Sequence, residues 1–180
     1  MGTILLGLLA GVFLNHSMIF HARLKLKRQL HMSKLLYFVL LLLSASSAAF
    51  GADGLIAFKS PYAAKETMNR FEENAKQRGL NVFARIDHAA GAAKIGKSLR
   101  PTEVLIFGNP QGGTPFMECA QSAGIDLPLK ALVWEDAQGQ VWLAYNDPSY
   151  LTQRHGVPQC PAVGALSKAL SDLAEASTAR

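Results

Sequence analysis

One segment near the N-terminus determines how much of this 180-residue chain belongs to the folded domain. Met32-Ser33-Lys34 gives a short basic start, an apolar run extends from Leu35 to Leu43, and residues 44–52 are mostly serine and alanine. This succession is typical of a secretory signal peptide. The run of nine apolar residues is too short for a transmembrane helix, since crossing a bilayer takes about 20 residues. We expect residues 32–52 to be removed by cleavage between Ala48 and Asp53, leaving residues 53–180 in the periplasm.

Residues 1–31 allow two interpretations. They contain a second apolar stretch, from Ile4 to Phe20, and then a basic run, His21–His31. We favour the interpretation in which Met32 is the true start and residues 1–31 are a misplaced N-terminal extension. The alternative is a membrane hairpin of residues 4–50 with the basic run on the cytoplasmic side. Polar Asn15-His16 would then lie in lipid, which is costly. We expect membrane contact only through this N-terminal segment, if it stays uncleaved.

The net charge of +5 comes from the same N-terminal segment. Residues 1–52 hold five of the 18 Lys and Arg residues and no Asp or Glu, so residues 53–180 carry 13 basic against 13 acidic residues. A nucleic-acid-binding domain needs positive charge on the folded surface that meets the phosphates. We therefore expect no nucleic-acid partner.

The mature chain mixes strand and helix patterns without strict alternation. Helices are expected from Pro61 to Gly79, from the exit of the second strand at Asp87-His88 to about Gly96, from Thr114 to Ala123, over residues 148–155, and from Pro161 onward. Strands are expected at residues 54–60, 80–86 and 102–107, and residues 128–135 and 140–145 form a hairpin. The pattern predicts one α+β domain over residues 53–180, a single compact body with a largely antiparallel sheet packed against helices. Residues 104–107 and 132–134 are expected to be among the most buried, and residues 108–113 to be a loop.

Eight short motifs occur in order along the mature chain. They are Ile86-Asp87-His88-Ala89, Leu99-Arg100-Pro101-Thr102-Glu103, Leu105-Ile106-Phe107-Gly108-Asn109-Pro110, Gly113-Thr114-Pro115, Asp126-Leu127-Pro128-Leu129-Lys130, Val133-Trp134-Glu135-Asp136, Tyr145-Asn146-Asp147-Pro148 and Arg154-His155-Gly156. In this register the chain resembles the domain of unknown function 302 family from about residue 55 to residue 173. The resemblance implies a compact α+β domain, often exported and sometimes self-associating. It implies no activity and no functional residues.

Six polar residues at the predicted ends of elements are the candidate ligand-binding residues: Asp87, His88, Asn109, Thr114, Asn146 and His155. We expect a pocket, if one exists, to gather four of them, His88, Asn109, Thr114 and His155. Each also has a structural explanation, because Asx side chains cap helices and glycine-rich segments form turns. No metal-binding spacing is present, so we expect no metal site. No nucleophile elbow is present, so we assign no catalytic residue. The sequence identifies no cofactor.

Three hypotheses follow for the function. The first is an exported, non-catalytic domain that binds a small molecule or an envelope protein. The second is an enzyme of unassigned reaction that uses Asp87 and His88 as an acid–base pair. The third is a structural homodimer in which a partner copy covers Trp134 and Trp142.

The two cysteines of the chain, Cys119 and Cys160, both lie in the mature part. Exported proteins keep few unpaired thiols, because their compartment is oxidising. We therefore expect a disulfide between Cys119 and Cys160 that ties the last helix to the body of the domain.

Overall fold

The computed structural model describes residues 53–180, and the predicted signal peptide and both interpretations of residues 1–31 lie outside the described residues. Five strands form one sheet in the order β1-β5-β4-β3-β2, with every neighbouring pair antiparallel. The strands are β1 (Leu55–Ser60), β2 (Asn81–Asp87), β3 (Thr102–Gly108), β4 (Leu129–Glu135) and β5 (Val141–Asn146). This confirms the predicted α+β domain with an antiparallel sheet.

Five α-helices connect and follow the strands. They are α1 (Ala64–Gln77), α2 (His88–Lys94), α3 (Pro110–Cys119), α4 (Pro148–Arg154) and α5 (Ala162–Thr178), and a 3-10 segment, Gln121–Ile125, follows α3. Helices α1 and α5 pack against each other and against the sheet. Within the described residues, no helix is long and apolar enough to cross a membrane.

The two faces of the sheet differ because side chains alternate along each strand. Leu105, Phe107 and Val133 are 0% exposed and pack under α1 and α5, beside Phe71 of α1. Phe71 and Phe107 meet edge to face with ring centroids 5.2 Å apart. The predicted burial of residues 104–107 and 132–134 therefore holds for every second residue, whereas the residues between them are only half-buried.

The opposite face carries an apolar row with one residue from each strand: Ala57, Ala144, Leu132, Val104 and Ile86. Ile86 is 42% exposed. Beside this row the Trp134 and Trp142 rings stack as a cross-strand pair with centroids 6.2 Å apart. The packing of the sheet is thus one-sided within residues 53–180.

The glycine-rich segment after β3 is helical, so the predicted loop over residues 108–113 is wrong. Helix α3 begins at Pro110, four residues before the expected start at Thr114. The Asn109 side chain accepts a hydrogen bond from the Gly112 N–H at 2.8 Å, and Pro110 occupies the first turn, where no N–H is needed. Pro115 therefore lies inside α3 instead of opening it, and α3 ends at Cys119 before the 3-10 segment.

Cys119 and Cys160 form the predicted disulfide, with Cα atoms 5.9 Å apart. The bond joins the end of α3 to the chain that enters α5. A small second core surrounds it, in which Phe116, Ala123 and Leu151 are almost fully buried. The disulfide and this cluster hold α3, the 3-10 segment, α4 and the start of α5 together.

Candidate functional site

A cleft of about 610 Å³ opens between α3, α5 and the end of the sheet where β3 leaves and β4 enters. Its walls are mostly apolar: Leu80, Phe83, Pro110, Met117, Leu127, Pro128, Leu129, Leu166 and Ala169. Four glycines complete the lining together with two polar residues, Asn109 and Thr114. The volume lies in the range of small-molecule sites, roughly 300–1,000 Å³.

Local backbone features place two of the apolar walls. Gly79 has a φ of 74° and ends α1 with two bonds, from its own N–H to Lys76 O and from the Leu80 N–H to Ala75 O. This is the glycine-dependent helix end that directs the chain sharply away, and it places Leu80 at the cleft. A bulge then shifts the register of β2 between Val82 and Ala84, so Phe83 falls outside the regular alternation. Phe83 lines the cleft and is 58% exposed.

Two glycines of α3, Gly112 and Gly113, line the cleft. Gly113 faces Leu127, whose Cδ1 would lie 3.6 Å from an added Cβ, and Gly112 faces the Asn109 side chain. A larger residue at position 113 would extend toward Leu127, which precedes β4, and one at position 112 would meet the helix-capping side chain of Asn109. Gly112 and Gly113, for which the sequence predicts a loop, are therefore small residues in the wall of the cleft.

The cleft offers few polar groups and no charged side chain among its lining residues. The carboxamide oxygen of Asn109 already accepts the Gly112 N–H. Thr114 is exposed at the same end of α3, so its hydroxyl can bond a ligand. The arrangement fits an uncharged, mainly apolar ligand better than an anion, since an anion would meet no cation there.

The structure brings together two of the six candidate residues, Asn109 and Thr114. Asp87 instead caps α2 by accepting the Ala90 N–H at 2.8 Å, beside an exposed His88. Asn146 is the last residue of β5, exposed and opposite Leu55. These residues do not line the cleft.

His155 belongs to a separate cluster at the end of α4. Its Nε2 lies 2.7 Å from Asp126 Oδ2 and its Nδ1 lies 2.9 Å from Ser122 Oγ. Arg154 donates to the other oxygen, Asp126 Oδ1, at 2.9 Å, and Phe116 meets the imidazole edge to face. The sequence signal that could have found Asp126 is the pair of motifs Asp126-Leu127-Pro128 and Arg154-His155-Gly156, which contact each other here. Nothing comparable pointed to Ser122.

A charged cluster between α1 and the helix-covered face of the sheet is structural. Arg85 of β2 donates to both oxygens of Glu103, at 3.0 and 2.7 Å, and to Glu72 of α1 at 3.1 Å. The bonds to Glu103 raise the pKa of Arg85, and the pKa of Glu72 is lowered mainly by its bond from Lys76. The ions are mutually satisfied and tie α1 to β2 and β3. Within residues 53–180, no three His, Cys, Asp or Glu side chains lie close enough to hold a metal ion.

The sequence is similar to one known family over most of the described residues. A family model described as domain of unknown function DUF302 matches residues 56–176. A crystal structure of an uncharacterised conserved DUF302 protein from Bacillus stearothermophilus has the same fold, with a TM-score of 0.64 and 21% identity. That comparison covers 70% of this chain and 99% of the Bacillus chain.

Curated relatives come from Brucella species and carry a channel name. Proteins named fluoride-specific ion channel FluC 1, from Brucella suis biovar 1 and Brucella abortus biovar 1, are 50% identical to this chain over 104 residues. The aligned residues are 58% of this chain, 41% of the Brucella suis protein and 38% of the Brucella abortus protein. The chain therefore spans about two fifths of the length of the relatives it matches.

Proposed function

The chain belongs to the DUF302 family, and from this premise we propose that it is an exported domain whose cleft between α3 and α5 binds, without catalysis in that cleft, a small, uncharged and mainly apolar molecule. The observation that carries the proposal is the lining, in which apolar walls surround only two polar side chains, Asn109 and Thr114. Such a composition is typical of small-molecule sites, where apolar area supplies affinity and a few polar groups supply orientation.

Two residues indicate how the ligand is held. Phe83 lines the cleft at the bulge of β2 and is 58% exposed, so an apolar ligand would remove part of its side chain from water. Thr114 at the first turns of α3 offers a hydroxyl to one polar end of the ligand. The ligand class is therefore a molecule with an apolar body and a single hydrogen-bonding end.

Export is supported by the disulfide. A bond between Cys119 and Cys160 persists in an oxidising compartment and is rare in a reducing cytosol. Export also agrees with the basic, apolar and small-residue succession over residues 32–52.

The test uses a neutral, environment-sensitive dye, N-phenyl-1-naphthylamine, added to the purified protein. We expect saturable fluorescence enhancement with one dye per chain. Ala169→Phe should abolish it, because Ala169 is an exposed residue of α5 that lines the cleft, so the larger side chain fills the site without entering the core.

The matched control is Ala93→Phe, the same substitution at an exposed position of α2 that does not line the cleft. It should bind dye as the unmodified chain does. If both variants bind equally, or if neither the chain nor the control binds dye, the proposed site is wrong. Thermal unfolding of both variants verifies that each is folded.

A second candidate function is favoured by the curated relatives. Proteins that are 50% identical to this chain over 104 residues are named fluoride channels. In this alternative, we propose that the domain acts in fluoride export at a membrane. Deletion of the gene should then sensitise cells to fluoride, and the Ala169→Phe variant should restore tolerance as well as the unmodified chain. Unchanged fluoride tolerance after deletion would remove this candidate and leave the ligand-binding proposal intact.

A further inference from the structure

Three hydrogen-bonded side chains, those of Asp126, His155 and Ser122, lie outside the cleft, and the proposed function does not use them. Asp126 Oδ2 lies 2.7 Å from His155 Nε2, and His155 Nδ1 lies 2.9 Å from Ser122 Oγ. A carboxylate, an imidazole and a hydroxyl in series form the arrangement that activates a serine, and it is recognised by the role of each group, whatever the chain order.

The proton positions follow from the partners. An ionised carboxylate can only accept hydrogen bonds, so in the neutral imidazole the hydrogen lies on Nε2, toward Asp126. Nδ1 of His155 then has a free lone pair, and the Ser122 hydroxyl must be the donor to it. This tautomer is the one in which the histidine can take the proton of the serine.

Burial and packing hold the base in this orientation. The His155 side chain is 7% exposed and that of Asp126 is 11% exposed. The imidazole packs against Phe116, whose ring centroid is 6.3 Å away, and Arg154 fixes the second oxygen of Asp126. Ser122, in contrast, is an exposed residue of the 3-10 segment. The base is thus fixed inside the protein, while the serine lies at the surface.

We propose that Ser122 is a nucleophile that reacts with small esters, with His155 as its general base and Asp126 as the positioning residue. The Ser122 Oγ forms a bond to the ester carbonyl carbon while its proton passes to His155 Nδ1. The ester C–O bond then breaks, and the leaving alcohol takes that proton from His155. Water, deprotonated by the same nitrogen, then forms a bond to the acyl carbon. The bond between that carbon and Ser122 Oγ breaks, Oγ takes the proton back from His155 Nδ1, and the carboxylic acid leaves. No oxidant, reductant or further co-reactant is required.

The substrate class follows from the position of the serine. Ser122 is exposed on the surface, so an ester with a small acyl group and a good leaving group is the expected substrate. The reaction is independent of the cleft, because neither Ser122 nor His155 lines it.

The experiment treats the exported protein, purified from the periplasm of the expressing cell, with a fluorophosphonate. Attack by Ser122 Oγ forms an O–P bond and expels fluoride, so intact mass and peptide mapping should locate one phosphonyl group on Ser122. The matched control is Ser98, another exposed serine, which has no histidine partner among the described residues. We expect Ser122→Ala to remove the adduct and Ser98→Ala to leave it unchanged.

His155→Gln should slow the labelling of Ser122 about 100-fold, the lower end of the contribution of a general base. Asp126→Asn should lower kcat for p-nitrophenyl acetate while leaving KM unchanged, which a merely structural role would not do. Labelling of Ser98 as fast as Ser122, or no labelling of Ser122, overturns the proposal. Selective labelling in the unmodified chain decides the matter even if the His155 variant fails to fold.

Discussion

Leu105 and Ile106 are adjacent in β3 but belong to different environments. Leu105 is 0% exposed under the helices, whereas Ile106 lies on the opposite face and is half-buried. Removing a packed leucine side chain loses its transfer free energy and leaves a cavity. We therefore expect Leu105→Ala to lower the free energy of unfolding by about 2–5 kcal/mol, measured by urea denaturation.

Ile106→Ala is the matched control in the same strand. It should cost clearly less than Leu105→Ala, because part of the Ile106 side chain is already in water. Equal losses at the two positions would mean that the open face of the sheet is covered in solution. A loss below about 1 kcal/mol at Leu105 would contradict its place in the core.

Asp136, between β4 and β5, predicts a pH dependence of the hairpin. The Trp142 indole N–H donates to its Oδ2 at 2.8 Å, and this bond, with backbone bonds from Gln138 and Gln140, lowers the pKa of Asp136. A carboxyl whose folded pKa lies below its unfolded value of about 3.9 contributes stability that is complete above that value. This contribution is lost as the pH falls through the folded pKa.

The measurement is the free energy of unfolding at about pH 6 and about pH 2.5, followed by tryptophan fluorescence. We expect the unmodified chain to lose more stability on acidification than Asp136→Asn, which keeps an acceptor oxygen but cannot titrate. An identical acid loss in the two proteins would show that Asp136 does not contribute to this pH dependence.

At the scale of elements, the disulfide joins the two helices that form opposite walls of the cleft. Cys119 ends α3, Cys160 precedes α5 by two residues, and the two cysteines have a sequence separation of 41. Loop-closure entropy gives about 4 kcal/mol for a loop of this length, which is a large share of the 5–15 kcal/mol of a typical domain. Replacing both cysteines by serine should lower the free energy of unfolding by about that amount.

The same double variant should weaken dye binding, because α3 is no longer fixed against α5. Dithiothreitol should reproduce both effects in the unmodified chain and change neither in the double variant. Dye binding unaffected by reduction would mean that the second core around Phe116 alone holds the two walls together.

Most elements could be predicted from the sequence because their signals are local. Periodicity and the glycine ends give α1, β2, α2 and the β4–β5 hairpin within a few residues of their observed bounds. The start of α3 could not, because residues 110–113 contain a proline and two glycines, which favour a turn when only local preferences act. In the structure Asn109 caps this segment, and Phe116 and the disulfide anchor the helix that follows.

The candidate site was harder to predict because it depends on contacts between distant segments. Asn109 and Thr114 share the cleft since Asn109 caps α3 and Thr114 lies in its second turn, but Phe83 enters the cleft through a bulge that no residue pattern predicts. The sequence indicates His155 as a polar residue at the end of an element, but its partners Asp126 and Ser122 lie 29 and 33 positions away along the chain. Pairings over such separations need the topology of the whole domain.

At the scale of the molecule, the one-sided sheet bears on self-association. Trp134 and Trp142 stack on the face that α1 and α5 do not cover, and Lys59 lies over the Trp142 ring at 5.4 Å. The pair is therefore explained by cross-strand packing within one chain, and the homodimer stays a prediction. Native mass spectrometry tests it, because a dimer has twice the mass of the processed chain.

The same spectrum tests export. We expect the protein in the periplasm to begin between Ala48 and Asp53, since the apolar run over residues 35–43 is flanked by Lys34 and by small residues, as in a cleaved signal. Leu41→Arg places a charge in that run and should leave the chain unprocessed in the cell, because the run no longer partitions into the membrane.

Phe13→Arg, in the upstream apolar stretch, is the matched control. It should change nothing if Met32 is the start of the protein, and it should disturb membrane insertion if residues 4–50 form a hairpin, since a charge near the centre of a membrane segment costs about 2.5–3.5 kcal/mol on insertion scales. A periplasmic mass that includes residues 32–47, or a Leu41→Arg chain that is processed normally, would contradict export through this signal. Normal export of Phe13→Arg together with retention of Leu41→Arg would assign the signal to residues 32–52 and place the upstream residues outside the exported protein.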